Sequence, residues 1–173
     1  MSDVERKNAV TFKGNAITLV GSEIKVGQKA PDFKVIANDL SEVTLQSSKG
    51  KTRVISVVPS LDTPVCQIQT NRFNAEAAKF SKDTQVYAIS VDLPFAQKRW
   101  CGANEAENIQ PLSDHRELSF GKAYGVLIKE LKLLARAVFI IGADDKVQYV
   151  EYVKEVTKEP NYEAALNVLK VAK

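Results

Sequence analysis

The chain has 173 residues, 45% of them hydrophobic and 26% charged, with a formal net charge of +3. That length suits one domain with a sizeable core, and the composition excludes an intrinsically disordered or fibrous chain. The small positive excess is scattered and forms no basic block, so no nucleic-acid partner is expected. The longest apolar run, over 135–141, is interrupted by Arg136 and is too short to span a bilayer, so no membrane partner is expected either. The first eight residues carry charges of both signs and lead into no apolar stretch. No secretory signal is therefore expected, and the cytoplasm is the expected compartment.

In chain order, residues 10–13 and 16–20 alternate apolar with polar around Gly14 and Asn15, which predicts an opening hairpin over about 8–22. Punctuation at 27–31 precedes short strands over 33–37 and 43–46, with turns at Asn38-Asp39 and 47–50. The nearly continuous β-branched run over 53–58 predicts a central strand buried on both faces, and it stops at Pro59. From 64 to about 81, Cys66, Phe73, Ala77 and Phe80 form an apolar stripe at helical spacing. A strand over 85–91, a short helix over 95–100 and another over 117–124, ended by Gly125, follow. Strands over 135–141 and 147–153 flank a Gly-Ala-Asp-Asp turn, and 161–172 predicts a closing helix. This order gives a mixed α/β sheet with helices on its faces, and no repeat or linker divides residues 1–173 into more than one domain. Phe73, Phe80, Phe95, Trp100, Phe120, Tyr124 and Phe139 are expected core aromatics.

The segment PSLDTPVC over 59–66 joins the central strand to the long helix. Proline is favoured at the first helical position, which makes Pro64 that residue, Thr63 the N-cap and Cys66 a first-turn thiol. There it faces unpaired backbone N–H groups and the positive end of the helix dipole, both of which favour the nucleophilic thiolate. It equally suits a small buried residue on the apolar stripe. Thr63 has two readings, a helix cap or a hydroxyl that serves the thiolate or an oxygen-bearing substrate. Pro59 either ends the strand or shields the thiol from water. Arg136 is a lone charge in an apolar strand. It either pairs with such a thiolate and binds an anionic or oxygen-rich transition state, or sits at an exposed strand end, snorkelling or paired with a carboxylate. Cys66 and Cys101 are too few for a disulfide scaffold and are not spaced as C-x-x-C.

Pro59, Thr63 and Cys66 reproduce the P-x-x-x-[ST]-x-x-C signature of the peroxiredoxins, and Arg136 resembles that family's essential arginine. More closely, the chain resembles the bacterial thiol peroxidases, the atypical 2-Cys peroxiredoxins, from the VTFKGN hairpin through Ser113-Asp114-His115-Arg116 and Phe120-Gly121 to the last helix. The resemblance implies a thioredoxin-like fold and a peroxidatic Cys66 that attacks the O–O bond of a hydroperoxide. It also implies that Thr63 holds the peroxide, Arg136 stabilises charge and Pro59 excludes solvent, with no metal or other cofactor. Cys101 matches the resolving cysteine, which implies an intrachain Cys66–Cys101 disulfide. Reduction by thioredoxin, a homodimer and organic hydroperoxide substrates are implied in the same way. With both cysteines on helices, bridging requires local unwinding, for which Gly102 offers a joint.

Three other readings compete. A Cys-His hydrolase needs His115, the one histidine, beside Cys66, but residues 113–117 read as a capped, solvated helix start. A thioredoxin-like reductase wants a second cysteine at position 69, where glutamine stands. A non-enzymatic redox-sensing or binding module of thioredoxin fold leaves the combination of Pro59, Thr63, Cys66 and Arg136 unexplained.

Overall fold

A computed structural model describes residues 3–171 of the chain. The opening hairpin is β1 (Glu5–Phe12) and β2 (Asn15–Val20), antiparallel, with Phe12 opposite Asn15. Its turn is Lys13-Gly14 and not the expected Gly14-Asn15, since both turn residues need positive φ and these two adopt 52° and 81°. β1 also starts well before Val10. Its register shifts between Arg6 and Val10, where Asn8 has a φ of 57°, and this irregularity hides the alternation from the sequence.

Next come β3 (Lys34–Ile36), β4 (Glu42–Thr44), a 3-10 turn, β5 (Thr52–Val57) and α1 (Pro64–Ala77). They are followed by β6 (Thr84–Ser90), α2 (Pro94–Ala103), β7 (Gln110–Ser113), α3 (Ser119–Ala123) and β8 (Leu127–Ile128). The described chain ends with β9 (Ala137–Ile141), β10 (Val147–Tyr152) and α4 (Tyr162–Val171). Ala172, the last residue expected in that helix, lies outside the described residues.

Seven strands form one mixed sheet in the order β10-β9-β5-β6-β7-β3-β4, with β5, β6 and β7 parallel and the other pairs antiparallel. The expected α/β class is correct, but two strands escape the sequence pattern. β7 contains Pro111, which argues against a strand because it removes a ladder donor. It is tolerated because β7 bonds continuously only to β6 and meets β3 at the single pair Ile36 and Ser113. β8 is too short to show a period, and it completes a small sheet with β1 and β2.

Alternation along the central strands divides the core into two layers. Val54 and Val58, Val86 and Ala88, and Val138 and Ile140 face one layer with Cys66, Phe73, Trp100 and Ala165. Ile55 and Val57, Tyr87 and Ile89, and Phe139 and Ile141 face the other, with the hairpin and α3. Helices α1, α2 and α4 thus cover one face of the sheet, and each fully buried large apolar side chain there stabilises by about 2–3 kcal/mol. Phe73 is such a residue, and its ring meets Tyr162 of α4 edge-on at 5.7 Å. Phe95 departs from expectation: it is 66% exposed at the start of α2. Arg53 is a buried charge that the apolar reading of β5 conceals, and it is neutralised by Asp145 at 2.7 Å and bonded to Ser48, Leu45 and Gly142.

Candidate active site

The chain leaves β5 through buried Pro59 and enters α1 as the sequence predicts, with Thr63 at the N-cap and Pro64 at the first helical position. Cys66 therefore lies in the first turn. The Thr63 carbonyl accepts the first helical bond, from Gln67 N at 2.9 Å. Its hydroxyl does not cap the helix. It donates to Ser60 O at 3.0 Å, which overturns the capping reading, and no side chain among the described residues caps the first-turn N–H groups.

Cys66 has no exposed surface, and Arg136 is only 2% exposed, so the alternative of a snorkelling arginine at an exposed strand end is also overturned. Arg136 immediately precedes β9, which begins at Ala137 and not at 135 as expected. Its Nη2 donates to Cys66 Sγ at 3.2 Å, Nη1 to Gln69 Oε1 at 3.0 Å and Nε to Val156 O at 2.8 Å. No carboxylate stands among these partners. A guanidinium out of water needs a compensating charge, and of its three partners only the Cys66 sulfur is able to carry one.

Gln69 is the residue that sequence reasoning missed. It is fully buried one turn beyond Cys66, and its Nε2 donates to Ser56 Oγ of β5 at 2.7 Å while its Oε1 receives Arg136. The amide thus fixes the guanidinium against the sheet. The available signal was positional: Cys66, Gln69, Thr70 and Phe73 share one face of α1, and the two polar members also need partners inside. Thr70 finds one in Cys66 O at 2.8 Å.

Cys101 lies inside α2, which runs past the expected end at Trp100 to Ala103, so Gly102 is a helical residue and not a joint after the helix. Both thiols are free. Cys101 packs on the core layer that contains Cys66, and burial pushes its thiol up to about 11. A cleft of about 410 Å³ separates the loop before α1 from α2, lined by Ser60, Leu61, Gln67, Asp92, Arg99 and Trp100 among others.

His115 makes no hydrogen bond to Cys66 among the described residues, and the expected capped, solvated helix start over 113–117 holds in part: Asp114 caps α3 and Arg116 and Glu117 are exposed, but Ser113 and Asp114 are buried. Ser113 ends β7, and α3 begins at Ser119 and not at 117. Asp114 is buried and accepts Phe120 N at 3.0 Å and Gly121 N at 2.7 Å, while burial pushes its carboxyl up to about 6. The αL residue Leu118, with a φ of 53°, delays the helix.

Residues 25–166 match the Redoxin family model. A thiol peroxidase of Halalkalibacterium halodurans is 62% identical over 95% of this chain and 98% of its own length. The thiol peroxidase of Bacillus subtilis is 58% identical over 93% and 96%. Among solved structures, a peroxiredoxin-like protein from Aquifex aeolicus superposes with a TM-score of 0.89 at 44% identity, covering 100% of both chains. The mixed sheet is accordingly the thioredoxin-like fold of the redoxins, and the chain belongs to the Redoxin family, among its thiol peroxidases.

Proposed function

We propose that this thiol peroxidase reduces hydrogen peroxide and organic hydroperoxides with Cys66 as the attacking cysteine and Cys101 as the resolving one. The observation that carries the reading is the buried Arg136 guanidinium donating to Cys66 Sγ at 3.2 Å with no carboxylate among its partners. A cation so placed stabilises a thiolate before reaction and the negative charge that spreads over the O–O bond during it.

The Cys66 thiolate attacks the terminal, hydrogen-bearing oxygen of the hydroperoxide. An S–O bond forms, the O–O bond breaks, and its electron pair leaves on the other oxygen, which takes a proton to become an alcohol or water. Sulfur loses two electrons and becomes a sulfenic acid. The uncapped N–H groups of α1 donate to the peroxide oxygens, the Thr63 hydroxyl, whose own proton goes to Ser60 O, accepts from the peroxide O–H, and Pro59 keeps bulk water from the sulfur. The Cys101 sulfur then attacks the Cys66 sulfur, an S–S bond forms, and hydroxide leaves and is protonated to water. A dithiol of the thioredoxin class returns two electrons, becoming a disulfide itself, so the cycle needs no metal or organic cofactor.

Residues 1–173 act as one domain. The active form is a homodimer, for which exposed Ile68 on α1 and exposed Leu93 and Phe95 at the start of α2 offer apolar contact. Two thiols that are free between turnovers suit the reducing cytoplasm, and among the described residues no helix is long and apolar enough to cross a membrane.

The test is intact mass after one equivalent of an organic hydroperoxide is added to reduced protein. Loss of two hydrogens in the wild type, an added oxygen in Cys101→Ser and no change in Cys66→Ser are expected. An unchanged wild-type mass with peroxide persisting overturns the reading in favour of a non-enzymatic redox-fold module.

A further inference from the structure

The loop that delivers Cys66 and the arm that carries Cys101 are joined through one carboxylate. Asp92 stands between β6 and α2, two residues before the helix that carries Cys101. Its Oδ1 accepts Ser60 Oγ at 2.7 Å, and its Oδ2 accepts Leu61 N at 2.7 Å and Ser90 Oγ at 2.7 Å. The chain of bonds continues both ways. Ser60 O receives the Thr63 hydroxyl at 3.0 Å, at the N-cap of α1. Ser90 Oγ receives Gln97 Nε2 at 3.1 Å, and Gln97 lies one turn before Cys101 on α2. Asp92 also lines the cleft of about 410 Å³ between the two segments, which leaves room for either to shift.

We infer that Asp92 is a positioning residue that latches the loop before α1 to the β6–α2 junction, holding Cys66 against Arg136 for the first step, and that opening this latch precedes closure of the Cys66–Cys101 bond. The inference rests on the assignment of those two cysteines above. Charge-assisted bonds to two elements from one side chain make the latched state cooperative. A single equilibrium then governs both steps with opposite sign. Only the latched fraction presents Cys66 to peroxide beside Arg136, and only the released fraction lets the two sulfurs meet, so weakening the latch slows the first and speeds the second. A residue that merely supports the fold lowers both rates together.

The test uses full-length reduced protein carrying Asp92→Asn or Ser60→Ala. An amide keeps one accepting oxygen and turns an N–H donor toward Leu61 N–H or a serine hydroxyl, whereas Ser60→Ala deletes the bond to Asp92 and the longer one from Asp62 N at 3.2 Å, at a partly exposed position where the fold tolerates the loss. Sulfenic acid formation is timed by chemical trapping and mass in the Cys101→Ser background. Disulfide closure is timed by the fluorescence of Trp100, the one tryptophan and the neighbour of Cys101, under excess hydroperoxide. Asp92→Asn is expected to slow sulfenylation on the order of tenfold and to speed closure several-fold, with the same signs and smaller size for Ser60→Ala. Parallel falls in both rates, or no change in either variant, overturn the latch while leaving the peroxidase reading intact. A wild type that forms neither sulfenic acid nor disulfide overturns both.

Discussion

Replacing Gln69 with leucine tests whether the buried amide holds the arginine in place. Leucine nearly matches the volume, so little cavity forms and the effect comes from polar groups left behind. Arg136 Nη1 loses its acceptor at 3.0 Å, and Ser56 Oγ loses its donor at 2.7 Å, both on buried residues beside a position, 69, that has no exposed surface. An orphaned donor on a buried charged group costs about 2 kcal/mol and the lost neutral bond about 1 kcal/mol, for a sum of about 3 kcal/mol. At this chain length that corresponds to a melting temperature lower by about 6–12 °C. A guanidinium freed from its anchor also no longer presents Nη2 steadily to sulfur, and the second-order rate constant for peroxide is expected to fall on the order of tenfold. Thermal denaturation of reduced protein and stopped-flow peroxide consumption measure the two effects. Ser56→Ala, which removes one acceptor of the amide and leaves Nε2 with Val57 O at 3.4 Å, is expected to cost about 1 kcal/mol and to leave the rate within about threefold. A Gln69→Leu protein that melts within about 2 °C of wild type and reacts within about twofold refutes the reasoning, because a charged donor without a partner cannot be that cheap.

Arg136→Met is expected to lower the rate constant for hydroperoxide by about 10²-fold or more while costing less stability than Gln69→Leu, because it removes the buried charge together with its needs; the same two assays decide. Thr63→Val deletes a hydroxyl that makes no cap bond, so the expected loss of helix stability is below about 1 kcal/mol, and calorimetry showing a larger loss contradicts the geometry. With the Cys101 thiol held up to about 11, its thiolate population rises about tenfold per pH unit through and beyond the ordinary thiol range. Single-turnover closure is therefore expected to keep accelerating from pH 7 to about 9.5, and a plateau near pH 8.5 would show that burial does not control the resolving thiol. Asp114, pushed up to about 6, binds its proton more tightly folded than unfolded, so its contribution is complete below about pH 4 and is lost as pH rises through about 6. Melting curves of wild type minus Asp114→Asn across that window are expected to show this fall, worth on the order of 3 kcal/mol.

Local rules made much of the site legible. A proline at the first helical position, a β-region residue before it and an apolar stripe behind it are settled by steric preference within a few residues. Cys66 therefore falls in the first turn of α1, as read from the sequence. The β-branched run of β5 and the Gly-Ala-Asp-Asp turn between β9 and β10 were equally plain, since strand and turn propensities act over short spans.

Tertiary structure decided the pairing of buried polar groups, because hydrogen bonds between distant segments leave no periodic trace. Arg136 and Cys66 each announced themselves as anomalies, but that they meet at 3.2 Å follows from β9 lying beside β5, from which α1 departs. Gln69, Asp92, Asp114 and Arg53 look like ordinary surface residues in sequence. Gln69, Asp114 and Arg53 are drawn inside where the fold places partners around them, at Arg136, at the start of α3 and at Asp145, and half-buried Asp92 is held at the cleft by Ser60 and Leu61. Pro111 in β7 shows the same priority of context over propensity: a strand that is bonded fully on one side alone tolerates the missing N–H. The sequence alone determined that the Cys66 sulfur sits in the first turn of a helix, since helix initiation is local. Only the folded chain determined which charge faces it and which carboxylate holds its loop, since those contacts are made between residues far apart along the chain.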